Sequence, residues 1–139
     1  MTDPFALDRF VAAQDGVYPA ALAELRRGRK TSHWMWFVFP QIEGLGASAT
    51  ARRYAVKSLA EARAYLAHPV LGGRLRESAQ AVADGPAADA VALLGPVDAL
   101  KLRSSMTLFT RADPGEPVFR AVLDRYFGGE PDPATEARL

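Results

Sequence analysis

The densest concentration of chemistry-bearing side chains runs Gly28-Arg-Lys-Thr-Ser-His-Trp-Met-Trp36, a cationic, donor-rich loop leading into large flat rings. That combination suits a phosphorylated, ring-bearing ligand. Arg29 and Lys30 would meet the anion, Thr31 or Ser32 and loop N–H groups its oxygens, and Trp34 or Trp36 would stack on the ring. His33 is the group here that could serve as general acid or base. A plainer reading competes, in which Trp34, Met35, Trp36, Phe37 and Phe39 are core and the basic residues are solvated at a helix end. The run is not a P-loop, because Arg29 stands where that motif needs the glycine before its lysine.

A second cluster, Lys101-Leu-Arg103-Ser104-Ser105-Met106, is constrained by helix geometry. At about 100° per residue, Ala99, Leu102, Met106 and Phe109 share one apolar stripe, with Lys101 and Ser105 on one flank and Arg103 on the other. Lys101 and Arg103 then diverge by about 160°, so one regular helix cannot aim both into one pocket. A charged side chain beside such a stripe also fits a snorkelling stem tied into a salt bridge. The third cluster is Arg52-Arg53-Tyr54, where a phosphate clamp competes with an ion pair and a solvated arginine. His33 and His68 are the only histidines, there is no cysteine, and no metal-ligand spacing or Gly-x-Ser-x-Gly elbow occurs. No metal and no cofactor are therefore assigned.

The elements that must position these residues read as helices. Asp3-Pro4 is a helix start running to Gln14, and Tyr18 to Arg27 forms a second helix with Gly28 past its end. Residues 34–42 make a short buried helix ended by Pro40, followed by the Glu43–Gly46 loop and a turn or two over Ser48–Tyr54. Ser58-Leu-Ala-Glu61 is a capping box, and its helix stops at His68, where a cation would suit the helix end. Further helices cover about 70–83, 87–94, 97–110 and 118–126, and Asp132-Pro133 starts a last turn. The expected fold is all-α: a single compact domain over residues 1–139, of about eight short helices around the aromatic segment.

Composition bounds the alternatives. The chain has 139 residues, 49% hydrophobic, with a formal net charge of +1. That is enough for one core without disulfides. No secretory h-region or membrane-length apolar run is present, so a cytoplasmic protein without a membrane partner is expected. Seven bases against two acids give residues 22–57 a local +5, while nine acids against six bases give residues 84–139 a local −3. A cationic segment in a near-neutral chain suggests a local anion site and argues against a general nucleic-acid surface.

The blocks Ser32-His-Trp-Met-Trp-Phe-Val-Phe-Pro-Gln41, Gly44-Leu-Gly46, Arg53-Tyr54, Ala62–Leu71, Leu100–Phe109 and Tyr126-Phe-Gly-Gly129 resemble the bacterial "domain of unknown function 1810" family across nearly the whole chain. The resemblance implies a small, mainly helical protein and brings no established reaction. Its blocks contain His33, Trp34, Trp36, Gln41, Arg53, Lys101, Arg103, Ser104 and Ser105. A more distant likeness to NADAR-type helical domains points the ligand class toward nucleotides or ADP-ribose, with no motif aligned. Two functions follow as expectations. One is a pocket for a small anionic, nucleotide-like ligand, built from Trp34, Trp36, Gln41, Arg52, Arg53, Lys101, Arg103, Ser104 and Ser105, with hydrolysis through His33 as its enzymatic form. The other is a non-enzymatic module using the basic segment and exposed aromatics against a protein partner.

Overall fold

A computed structural model describes residues 3–139. Its ten helices are α1 (Asp8–Gln14), α2 (Tyr18–Arg27), α3 (Met35–Val38), α4 (Ala49–Arg53), α5 (Leu59–Ala67), α6 (Leu71–Asp84), α7 (Ala90–Leu94), α8 (Pro96–Ala112), α9 (Pro117–Phe127) and α10 (Pro133–Glu136). The all-α, single-domain architecture expected from the sequence is what forms, with ten helices among the described residues in place of about eight. The only strand-like feature among the described residues is an isolated parallel bridge, Ile42 to Val56. Its two hydrogen bonds, Val56 N–H to Gln41 O and Glu43 N–H to Val56 O at 2.8 Å each, fix the segment carrying Gln41.

Local signals explain most boundaries. Gly28 ends α2 in the left-handed region at φ 87°, and a Cβ there would meet Pro86 at 2.9 Å, so both conformation and contact select glycine. Gly72 has a different reason: a Cβ would lie 2.0 Å from the Leu66 carbonyl, so its absence lets α6 turn tightly off the end of α5. Asp3 does cap the N-terminal turn, accepting the Leu7 and Asp8 N–H groups at 2.9 and 3.0 Å. Regular helix begins only at Asp8, however, because Ala6 sits at φ 51°. His68 corrects another expectation. Instead of serving the end of α5, its Nδ1 accepts the Val70 and Leu71 N–H groups at 3.1 and 3.2 Å, so the side chain caps the start of α6.

The aromatic segment lies in the core, as its composition suggested. Trp34 and Phe39 are fully buried, and Met35, Val38 and Ile42 nearly so. A file of rings runs from Phe119 through Phe109, Tyr65, Phe10 and Tyr54 to Phe37, with successive centroids 5.1–5.8 Å apart. A polar network crosses it: Gln14 Nε2 donates to the Phe37 carbonyl at 2.7 Å and to the Tyr65 hydroxyl at 3.3 Å, and its Oε1 accepts from Arg74. These contacts tie α1, α3, α5 and α6 together, and burial pushes the Tyr65 hydroxyl pKa up.

Candidate functional site

Glu24, on the buried side of α2, organises the loop that leads into the tryptophans. Its Oε1 accepts the Thr31 N–H at 2.7 Å, the Ser32 N–H at 2.9 Å and the Trp34 indole N–H at 3.0 Å, and its Oε2 accepts the Ser32 hydroxyl at 2.5 Å. Burial pushes this carboxyl up, but the four hydrogen bonds outweigh it and hold the pKa down at about 2. The Thr31 and Ser32 N–H groups and the Ser32 hydroxyl, read from the sequence as donors for a ligand's oxygens, are thus spent on an internal anion. Trp34, fully buried, turns its indole N–H to Glu24 and presents no open face to a ligand. His33 is exposed on this loop and lines none of the depressions that hold the other candidate residues.

Asp98, in the first turn of α8, links the two basic clusters. It takes Lys30 Nζ at 3.0 Å on one carboxylate oxygen and Lys101 Nζ at 3.2 Å on the other. Lys30 Nζ lies 5.1 Å from the Trp34 ring centroid and Lys101 Nζ 4.8 Å from that of Trp36. A single carboxylate therefore fixes two ammonium groups over two indoles, leaving the trio with one net positive charge.

Beside Lys101 opens a cleft of about 460 Å³. Trp36, Gln41, Lys101 and Ser104 all line it, together with Leu45 and Leu100. Its rim is apolar, with Val97 64% and Leu100 66% exposed. Trp36 and Gln41 also line a smaller adjoining depression that reaches Arg52. Asp132 completes the cleft wall with a carboxylate already engaged by the Ser104 hydroxyl at 3.1 Å and by the Thr135 N–H and hydroxyl at 3.0 and 2.6 Å. Gln41 offers its amide with no hydrogen-bond partner among the described residues, both donor and acceptor.

The remaining candidates lie elsewhere. Arg103 diverges from Lys101 as helix geometry required, and donates to the Glu130 and Pro131 carbonyls at 3.1 and 3.0 Å, holding the C-terminal segment against α8. Ser105 is fully buried, its hydroxyl without a partner among the described residues. Arg53 and Arg52 line a separate hollow of about 460 Å³ with Arg9, Lys57, Ser58 and Glu61. The structure thus brings Trp36, Gln41, Lys101 and Ser104 to one cleft with Arg52 at its neighbour, and sets Trp34, His33, Arg53, Arg103 and Ser105 apart from it.

Sequence reasoning missed Glu24, Asp98 and Asp132. Two signals were present: Glu24 is one of only two acids in the basic segment, and Asp98 stands three residues before Lys101 on one helix face. No three His, Asp or Glu side chains gather as a metal site among the described residues. No helix among them is long and apolar enough to cross a membrane.

Comparison with known proteins agrees on one assignment. The family model described as "Protein of unknown function (DUF1810)" matches residues 4–139. The crystal structure of the conserved hypothetical protein Rv1873 from Mycobacterium tuberculosis is 52% identical, over 99% of this chain and 98% of that one, with a TM-score of 0.97. No curated protein matches.

Proposed function

The chain belongs to the DUF1810 family of proteins of unknown function, and from that premise we propose that it is a small-ligand-binding protein whose site is the Trp36 cleft. The observation that carries this reading is the meeting of Trp36, Gln41, Lys101 and Ser104, from α3, the bridge segment and α8, around about 460 Å³ of concave space. That volume is typical of a site for one small molecule. Trp36 supplies a flat apolar wall, Gln41 an unengaged amide to read a heterocycle edge, and Lys101 a cation fixed in place by Asp98. The ligand class is a planar, nucleotide-like molecule with an anionic group directed to Lys101 or Arg52. The proposed role is binding, because His33, the acid–base candidate, lines neither the cleft nor the depression beside it.

The two tryptophans make the test specific. In an NMR titration with a nucleotide, the Trp36 indole signal should move saturably while that of buried Trp34 stays still. Equal movement of both, or of neither, contradicts the reading.

A second reading is favoured by Val97 and Leu100, which stand on one face of α8 at the cleft rim and are about two-thirds exposed. They suit the apolar residues of a protein partner. Leu100→Asp should abolish capture of such a partner. If a ligand bound in the cleft protected the rim just as well, the small-molecule reading would stand without the partner.

A further inference from the structure

We propose that the hollow between the N-terminal turn, α4 and the start of α5 is a second binding site, for the phosphate group of a phosphomonoester. Its polar walls come from Arg9, Arg52, Arg53, Lys57, Ser58 and Glu61. Arg9 belongs to the frame: its Nε donates to the Arg53 carbonyl at 2.7 Å, its Nη1 to Phe5 and Ala6, and its Nη2 to the Ala55 carbonyl and to Glu61, both at 2.8 Å. Glu61, 1% exposed, is thereby neutralised and cannot discharge the other cations. Arg52, Arg53 and Lys57 face no carboxylate within salt-bridge distance among the described residues, so four cations and one carboxylate leave the hollow at +3. The half-buried cations, by contrast, are paired: Lys30 and Lys101 with Asp98, Arg76 with Glu116 and Arg103 with the C-terminal segment.

Chemistry selects the ligand. Two guanidinium groups and an ammonium match the oxygens of a doubly charged phosphate better than a singly charged carboxylate. The start of α5 is already closed by its own side chains, Ser58 Oγ accepting the Glu61 N–H at 3.1 Å and Glu61 Oε1 the Lys57 N–H at 3.4 Å, so the charge of the hollow rests on its side-chain cations. A volume of about 460 Å³ exceeds what a bare ion fills, which points to a phosphate carried on a small organic body. The site shares Arg52 with the depression beside the Trp36 cleft, but its argument does not depend on that cleft binding anything.

The experiment is an NMR titration of the full chain with inorganic phosphate and, separately, with phosphoserine, at constant ionic strength set by chloride. Saturable shifts at residues 52–60 are expected with both, tighter for phosphoserine. They should weaken at least tenfold in Arg52→Ala/Arg53→Ala, while Trp36→Ala and the charge-matched Arg27→Ala/Arg29→Ala bind as the parent does. Both alanines in the first variant replace exposed side chains, and Arg9 uses only the Arg53 carbonyl, so the fold should survive; unchanged amide shifts in the core verify this. A third arm presents phosphatidylcholine vesicles containing phosphatidic acid. Binding to vesicles with no response to phosphoserine would overturn the proposal in favour of a charged surface. Absence of saturation with either soluble probe, or equal weakening by the charge-matched variant, would overturn it as well.

Discussion

Trp34 and Trp36 stand two positions apart at the start of α3, and their surroundings give opposite expectations for one substitution. Trp34 is fully enclosed and hydrogen-bonded to Glu24, so Trp34→Ala should cost about 3–5 kcal/mol of stability, read by denaturant unfolding. Trp36 is half-buried beneath Lys101, so Trp36→Ala should cost distinctly less and instead remove ligand binding. Glu24 makes a pH prediction. Its pKa falls from 4.5 to about 2 on folding, so the stability it confers is complete above about pH 4.5 and is lost as pH drops toward 2. A depression of that size is on the order of 3 kcal/mol, and the midpoint of the wild type should therefore fall more steeply across this window than that of Glu24→Gln. Parallel slopes would show that the carboxylate does not hold the loop.

Among the elements, one arginine helps to tie down the C-terminal segment and another the N-terminal turn. Arg103 holds Glu130 and Pro131 through their carbonyls, next to the Ser104–Asp132 contact at the cleft wall. Arg103→Ala should increase hydrogen exchange at residues 130–136 and leave direct ligand contacts in place. A variant that loses binding with exchange unchanged would make Arg103 a ligand residue after all. Arg9 carries more, because Glu61 is buried beneath it, and Arg9→Ala should destabilise by about 3–5 kcal/mol in thermal or urea unfolding. The helices themselves were largely legible in the sequence. Tyr18–Arg27, with Gly28 after it, and the Ser58 cap follow from local backbone chemistry, which acts within a few residues. The start of α7 was not. Asp89 caps it, two residues past the expected start at 87, and the Ala87 carbonyl instead accepts from Arg125 and Tyr126.

At the scale of the molecule, the opposed charges of the two halves meet in space. Lys30 from the basic segment pairs with Asp98 from the acidic one, and that contact sets α8 beside the loop before α3. Such a pairing spans about half the chain and leaves no periodic trace, which is why the sequence could name Trp36, Gln41, Lys101 and Ser104 but not which of nine candidates would share a cleft. Arg103 and Lys101 were separable from helix geometry alone, whereas the loss of Trp34 to the core and of Thr31 and Ser32 to Glu24 required knowing which side of α2 the loop faces. The remaining basic residues do not form one face: Arg26 stands against Glu77, while Arg52, Arg53 and Lys57 line the separate hollow.

The central claim is that the Trp36 cleft is a ligand site, and a thermal-shift screen tests it most directly. Wild type and Trp36→Ala would be compared against nucleosides, nucleotides, ADP-ribose, NAD, sugar phosphates and simple anions. A ligand at 100 times its Kd adds about 2.7 kcal/mol, which should raise the midpoint by several degrees in a domain of this size. The account predicts a selective rise with a planar, anionic compound that disappears in Trp36→Ala. Equal rises in both proteins with every planar compound, the phosphate-free nucleosides included, or no rise with any compound, would contradict it.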